Sequence, residues 1–371
     1  MAPNCDALTH MDDFTKYVGI LAKQTNFEEA RLKVCKNEIC IAVYGTGNPD
    51  ISGIGVATAY ILEFALSALL SLAAIRLRKP QSGTAAYRWK EIIQCGLDSF
   101  FSSAAYFTLA IQLATIVVLV RKDYGISNTD LGAIEARIAQ SVSVVSMMPL
   151  LYPAALLEPE PEDRNENRDV RHNSRLLLLS VTLALSFFPF LSRCMHSFGP
   201  SPIGDGSNSK VSKKNWAKVA RMCFPGGFAD LKDDMTWKAL PGLELTASLT
   251  TYLFAFWLLS GLPNTRYIPN KDTKGHRGVE KILSWRERVA KWFEHRRRYA
   301  IVPLLALVGL TIPLIVMIFI LRDLQKELAH DMNHTYEGDA WGFGQIVSIV
   351  LFVPVGVDMA YWWRFGSSYE R

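Results

Sequence analysis

Charged residues are missing from long stretches of this 371-residue chain. Lysine, arginine, aspartate and glutamate make up 20% of the sequence, yet none occurs in the 21 residues Ile301–Leu321. A soluble helix needs a polar face, whereas a helix of about 20 apolar residues can cross about 30 Å of hydrocarbon. This uneven distribution argues against a soluble two-domain protein and predicts membrane-spanning helices.

Sequence motifs of soluble enzymes are also missing. The stretch YGTGNPDISGIG is rich in glycine, but Asp50 stands where a dinucleotide-binding loop has its third glycine. No lysine follows Gly53, as a phosphate-binding loop would require. The chain has no G-x-S-x-G or H-E-x-x-H sequence, and its six cysteines include no C-x-x-C pair. We therefore predict no nucleotide or other cofactor and no metal site.

Apolar blocks define the predicted fold: Gly53–Ile75, Gly96–Val120, Ile138–Leu157, Leu176–Met195, Leu245–Leu262, Ile301–Leu321 and Trp341–Trp363. The third block is the weakest, because Glu135 and Arg137 stand at its start and two prolines interrupt it. Membrane helices tolerate such prolines. The prediction is an all-α polytopic membrane protein with a seven-helix transmembrane bundle over residues 53–363. Residues 1–52 form an extracytoplasmic tail, residues 364–371 form a cytoplasmic tail, and membrane lipids are the expected partners.

Basic residues beside the blocks predict the orientation. The loop after the first block is basic from Arg76 to Lys90, and the stretch before that block has no basic residue. The loop after the sixth block is acidic and holds the sequon Asn333-His334-Thr335. We predict an outside N-terminus, a cytoplasmic C-terminus and a glycosylated Asn333, in the plasma membrane or an endomembrane. The long, basic fourth loop is placed outside by the same parity, although long loops follow the rule poorly.

Two segments bear on targeting and partners. The first 30 residues lack the basic start and apolar core of a signal peptide, so the first span is expected to act as the insertion signal. Val279–Tyr299 alternates apolar residues with arginine and lysine, which predicts a basic amphipathic helix on the inner leaflet. No nucleic-acid partner is expected of a segment held at a membrane.

The glycine-rich stretch leads directly into the first block, and we interpret it as a turn. Pro49 marks the start of a helix that Asp50 or Ser52 can cap. Small residues then recur every four positions around Glu63, at Gly55, Ala59, Ser67 and Ser71. This spacing predicts close approach of a second helix.

Four cysteines in predicted outside segments are disulfide candidates: Cys5, Cys35, Cys40 and Cys223. An oxidising compartment favours disulfides among them. Cys35 and Cys40 could close a small loop, and Cys223 could pair with the N-terminal tail. Free thiols are the alternative.

Acidic residues within the apolar blocks are the candidate catalytic groups. Glu63 is central in the first block, Asp98 lies at the start of the second, and Asp358 lies near the inner end of the seventh. Charged groups in the membrane are costly and usually face the interior of a bundle. With no lysine or arginine expected at a comparable depth, Glu63 is either a proton donor or ligand contact, or a neutral carboxyl that joins neighbouring helices.

The run CIAVYGTGNPDISGIGVATAYILEF, Cys40–Phe64, resembles the first-span segment of a family of multi-pass membrane proteins from filamentous fungi. The shared pattern is G-x-G-N-P-D-I-x-G-I-G-V. The resemblance implies a fungal membrane protein and implies no particular activity.

Three functions are compatible with these features. The first is a receptor-like protein, or one that interacts with a lipid or small molecule. The second is an intramembrane enzyme that acts on a hydrophobic small molecule, comparable in chemistry with the proton-initiated terpene cyclases. A transporter ranks third, because internal repeats and broken helices with paired charges are not evident in the sequence.

Overall fold

The computed structural model describes residues 5–8, 13–45, 47–77, 85–121, 131–157, 166–199, 202–205, 209–224, 235–259 and 301–365. Within these ranges the chain is helical apart from turns and one isolated bridge between Ile203 and Val211. The predicted all-α fold is therefore confirmed. The predicted amphipathic helix Val279–Tyr299 and most of the tail 364–371 lie outside the described residues.

Seven helices in these ranges are long and apolar enough to cross a membrane, which confirms the predicted bundle. They are α5 (Ile54–Arg76), α6 (Ala85–Arg121), α7 (Ala133–Leu156), α8 (Glu166–Phe198), α10 (Met235–Leu259), α11 (Ile301–Asp331) and the consecutive pair α12 (Phe343–Val350) and α13 (Val353–Phe365). We call them spans one to seven in chain order. Shorter helices are α1 (Phe14–Thr25), α2 (Glu29–Val34), α3 (Lys36–Tyr44), α4 (Pro49–Ser52) and α9 (Lys213–Cys223).

Span three lies at the centre of the bundle. It packs against spans one, two, four, five and six, and 89% of its most apolar stretch is buried. Span seven packs on spans one and two, and only 22% of the corresponding stretch is buried. The span with the weakest sequence signal is thus the core of the fold. Its neighbours shield it from lipid, so it can carry polar residues that bond across helices.

The N-terminal region folds into a compact cap. We use this term for residues 5–8 and 13–44 together with α9 and the residues beside it, 209–224. Phe14 packs edge-on against Trp216 with ring centroids 5.2 Å apart, and Tyr44 packs against Phe224 at 4.8 Å. The Lys218 ammonium donates to the carbonyl of Phe27 at 3.0 Å. The sequence prediction of a tail over residues 1–52 did not anticipate this folded unit.

Two disulfides close the cap. Cys5 is bonded to Cys35 and Cys40 to Cys223, with Cα–Cα separations of 5.3 and 5.5 Å. All four candidate cysteines are therefore paired, but Cys35 and Cys40 are not joined to each other. Cys35 is the N-cap of α3 and Cys40 lies within that helix, and each of the two meets a different partner.

Candidate functional site

The glycine-rich stretch joins the cap to the bundle. Gly45 and Gly47 have φ values of 82° and 92°, which glycine adopts without strain. A Cβ at Gly45 would overlap the Glu135 side chain at the start of span three, and one at Gly47 would overlap the Tyr336 ring. The N–H of Gly47 donates to Oε1 of Glu135 at 3.2 Å. Burial raises the pKa of Tyr336, which lies beside Arg322.

The same stretch also contacts span seven. The N–H of Gly55 donates to Oε1 of Gln345 at 2.8 Å, and Nε2 of Gln345 donates to the carbonyl of Ala340 at 2.6 Å. A Cβ at Gly55 would lie 2.6 Å from the Cβ of Gln345. The interpretation of these glycines as turn and packing residues is confirmed.

The predicted helix cap needs a correction. Oδ1 of Asn48 accepts from the N–H of Asp50 at 2.9 Å, with Pro49 in the first turn. Asn48 is therefore the N-cap, in place of Asp50 or Ser52. Pro49 fixes the first helical residue, so the capping side chain must come from the residue before it.

Glu63 is fully buried between spans one, two and three. The other members of its stripe, Gly55, Ala59, Ser67 and Ser71, are buried as well, as the four-residue spacing predicted. The Thr108 hydroxyl of span two lies 3.5 Å from Oε1 of Glu63 and donates to the carbonyl of Ser146 at 2.9 Å. Oε2 of Glu63 has no hydrogen-bond partner among the described residues.

Ser67 donates a hydrogen bond to a carbonyl of the central span that a proline leaves without a donor in its own helix. Pro153 has no N–H to donate to the carbonyl of Pro149 four residues earlier. The Ser67 hydroxyl donates to that carbonyl at 2.7 Å. Span one thereby supplies the hydrogen bond that span three lacks, as expected where prolines occur in packed membrane helices.

Hydrogen bonds continue from Glu63 along span three. Gln112 of span two and Ser143 bond reciprocally: Nε2 of Gln112 donates to the Ser143 carbonyl at 2.8 Å, and the Ser143 hydroxyl donates to Oε1 of Gln112 at 2.6 Å. Gln112 also lies 3.4 Å from the hydroxyl of Ser146. A polar strip therefore runs from Glu63 towards the end of span three nearest the cap.

A buried ion pair lies beyond this strip. Arg193 of span four pairs with Glu244 of span five, and their side chains are only 4% and 2% exposed. Ser141 donates to Glu244, while Nη1 of Arg193 donates to Oε1 of Gln140 at 3.0 Å. This pair was not predicted from the sequence, although Arg193 lies inside the fourth apolar block and Glu244 directly precedes the fifth. Opposite charges in two neighbouring blocks were the available signal.

A small cavity of about 10 Å³ lies beside the ion pair, between spans three, four and five. It has room for about one water molecule. Its polar lining includes Gln140, Ser143, Ser186, Arg193, Glu244 and Tyr252. Ser143 thus belongs both to the cavity and to the polar strip that leads to Glu63.

Asp98 and Asp358 lie elsewhere. Asp98 forms an ion pair with Arg175 of span four, and their side chains are 15% and 14% exposed. The expectation that no arginine would neutralise the acidic residues is therefore wrong for Asp98. Asp358 is partly exposed on span seven and makes no hydrogen bond or ion pair within the described chain. The structure does not bring the three candidate catalytic residues together.

The predicted glycosylation site is accessible. Asn333, His334 and Thr335 are all exposed in the turn that follows span six.

No protein-family model, curated protein or solved structure matches this chain. Nor do the described residues contain a cluster of three or more His, Cys, Asp or Glu side chains placed to hold a metal ion.

Proposed function

We propose that this chain is a receptor-like seven-span protein of a filamentous fungus that binds a lipid or another hydrophobic small molecule. The main support is the continuity between the cap and the central span. Glu135, at the start of span three, and Gln345, on span seven, both bond to the glycine-rich stretch that follows the cap. A conformational change in the cap would therefore act directly on residues that bond to the central span.

We further propose that the cap lies outside the cytoplasm and the C-terminus inside. The Cys40–Cys223 disulfide requires the N-terminal region and the fourth loop to share one side of the membrane. Disulfides persist in oxidising compartments, which favours the extracytoplasmic side. This supports the outside placement of the fourth loop, for which the charge rule was weakest.

The size of the cavity beside the ion pair argues against a site there that encloses a whole ligand. Ligand pockets for drug-sized molecules enclose about 300–1,000 Å³. The cavity beside the ion pair is far smaller, at about 10 Å³. A hydrophobic ligand would therefore meet this protein mainly from the surrounding bilayer.

Thermal unfolding in lipid nanodiscs tests the proposal, with a panel of sterols, terpenoid alcohols and fatty acids added singly. A ligand at 100 times its Kd should raise the free energy of unfolding by about 2.7 kcal/mol. Each compound should then be recovered chemically unchanged, as mass spectrometry can verify. Conversion of a compound would indicate an enzyme instead, and absence of stabilisation across the panel would overturn the proposal.

An intramembrane enzyme is the second candidate, supported by the unpartnered oxygen of Glu63. A protonated carboxyl there could deliver a proton to an alkene or epoxide. The substitution Glu63→Gln retains shape and hydrogen bonding but removes the acid. If Glu63 donates a proton, the variant folds and binds normally but converts no compound. If Glu63 only joins helices, Glu63→Gln behaves like the parent and Glu63→Leu loses stability.

A further inference from the structure

The cavity beside the Arg193–Glu244 pair has two different sides. Its inner side is polar and is formed by the ion pair, Gln140 and Ser143. Its outer side contains Phe190 and Tyr252, whose rings pack edge-on with centroids 5.1 Å apart. The Tyr252 hydroxyl lies 3.0 Å from the hydroxyl of Ser186.

The outer side borders the surface of the bundle that faces lipid. Phe190 and Tyr252 are only partly buried. Phe187, whose ring packs against Phe190, and Leu253, which follows Tyr252, are 54% and 72% exposed, as expected for side chains in hydrocarbon. The aromatic pair and the contact between the Tyr252 and Ser186 hydroxyls therefore lie on the side of the cavity next to this exposed surface.

The helix backbone adds an acceptor near the cavity. Pro189 lines it and has no N–H, so the carbonyl of Leu185 loses its donor in the helix. The cavity thus combines acceptors, including Glu244 and serine hydroxyls, with donors from Arg193 and Gln140.

The charge balance selects the class of ligand. Arg193 and Glu244 are already paired with each other, so a carboxylate or an ammonium group entering the cavity would compete with the existing pair. A neutral group that both donates and accepts a hydrogen bond avoids this conflict. The volume of about 10 Å³ admits one such group, of the size of a hydroxyl, and excludes a hydrocarbon chain.

We propose that this cavity binds the hydroxyl group of a membrane-dissolved alcohol, whose hydrocarbon part stays between spans four and five in the bilayer. Phe190 and Tyr252 form the contact surface for the hydrocarbon next to the hydroxyl. The inference deepens the proposed function, on which it rests, by naming the site and the chemical class of the ligand.

Photolabelling tests the site. Protein in phosphatidylcholine nanodiscs is irradiated with hexadecanol that carries a diazirine near its hydroxyl end, and labelled peptides are identified by mass spectrometry. We expect labelling concentrated on the segments around Phe190 and Tyr252. Unlabelled hexadecanol should compete, whereas hexadecane, which lacks the hydroxyl, should not. Equal competition by hexadecane, or labelling spread evenly over all spans, would overturn the inference and leave the cavity as a site for water only.

A matched pair of variants sharpens the experiment. Ser248 is buried and lines the cavity, whereas the adjacent Leu249 is 49% exposed. Ser248→Leu fills the cavity and should reduce labelling about tenfold, as expected when one buried hydrogen-bonded group is lost. Leu249→Val should label like the parent. Unchanged labelling of a folded Ser248→Leu variant contradicts the site, and if that variant does not fold, the competition by hexadecane decides alone.

The site and the receptor proposal can fail separately. If hexadecanol does not label the cavity but other compounds of the panel stabilise the protein, the site is wrong and the receptor proposal stands. If labelled alcohol is converted to a product, the site stands and the receptor proposal fails.

Discussion

Span six has the strongest apolar signal in the sequence but is largely exposed in the bundle. Span three has a weak apolar signal but lies at the centre of the bundle. Span six contains 21 consecutive residues without a charge, yet only 39% of its most apolar stretch is buried. Span three has charged residues at its start and two internal prolines, yet 89% of the corresponding stretch is buried. Of these two helices, the more apolar one is the more exposed, and the less apolar one holds the bundle together. The least lipid-exposed helix is free to carry the serines and the glutamine that bond to its neighbours.

The largest loss of stability is expected from substitutions in the buried Arg193–Glu244 ion pair. Glu244→Leu leaves the buried Arg193 unpaired, which should lower the free energy of unfolding by about 3–5 kcal/mol. The double variant Arg193→Met with Glu244→Leu should recover most of that loss. Denaturant unfolding in detergent measures both.

The control for this experiment is an exposed ion pair. Nζ of Lys326 lies 2.6 Å from Oδ2 of Asp339, with side chains 59% and 46% exposed. Lys326→Met should change stability little, because solvent screens such pairs.

The double variant Arg193→Met with Glu244→Leu decides whether charge is the cause. If it is no more stable than Glu244→Leu alone, the centre depends on Glu244 for some reason other than charge.

The next largest effect is expected from shortening a buried leucine of span three, compared with an exposed leucine of span six. Leu150 of span three is fully buried, whereas Leu305 of span six is 58% exposed. Leu150→Ala should cost about 2–5 kcal/mol, because the cavity it leaves cannot collapse fully. Leu305→Ala should stay within about 0.5 kcal/mol, as for surface positions generally. Equal losses in thermal unfolding would contradict the central position of span three.

Alanine substitutions at a tightly packed glycine of span one and at an open glycine of span six should change stability in opposite directions. Gly55→Ala would place a Cβ 2.9 Å from the carbonyl oxygen of Gln345 and should destabilise by about 1–3 kcal/mol. Gly309 of span six has nothing within 4 Å of an added Cβ. Gly309→Ala should stabilise by about 0.5–1 kcal/mol, through the higher helix propensity of alanine. Melting temperatures that move in the same direction would refute this contrast.

The smallest effect on stability is expected at the C-terminal end of span six, which we propose lies outside the cytoplasm. Its helix continues from Arg322 to Asp331, which carries the exposed Asn333 beyond the apolar stretch by roughly 15 Å. Expression in a eukaryotic host should give a glycosidase-sensitive mobility shift that Asn333→Gln abolishes without altering the melting temperature. A protease that removes a tag placed after Arg371 in intact cells would reverse the proposed orientation.

The sequence predicted the framework of the bundle better than its centre. The apolar blocks and the buried stripe around Glu63 were predictable, because both depend on local composition and helical periodicity. The Arg193–Glu244 pair was not, since it depends on which helices become neighbours. Asp98 appeared unneutralised for the same reason, because its partner Arg175 directly precedes the fourth apolar block and lies outside it.

The fold of the cap could not be predicted from local sequence patterns either. Its aromatic contacts join residues about 200 positions apart in the chain, such as Phe14 and Trp216. No local periodicity reports a contact of that kind. The candidate cysteines could be named from their side of the membrane, but their pairing required the positions of α3 and α9.

The Cys40–Cys223 disulfide spans 183 residues and encloses spans one to four. Together with the disulfide, this part of the chain is a covalent ring that crosses the bilayer four times. The ring can close only after the fourth crossing has been synthesised, so the cap is completed late in biogenesis. A single proteolytic cut in any loop within the ring would leave the molecule in one piece on a non-reducing gel. Only a reductant would then separate the fragments, which makes electrophoretic mobility a direct record of whether the ring has closed.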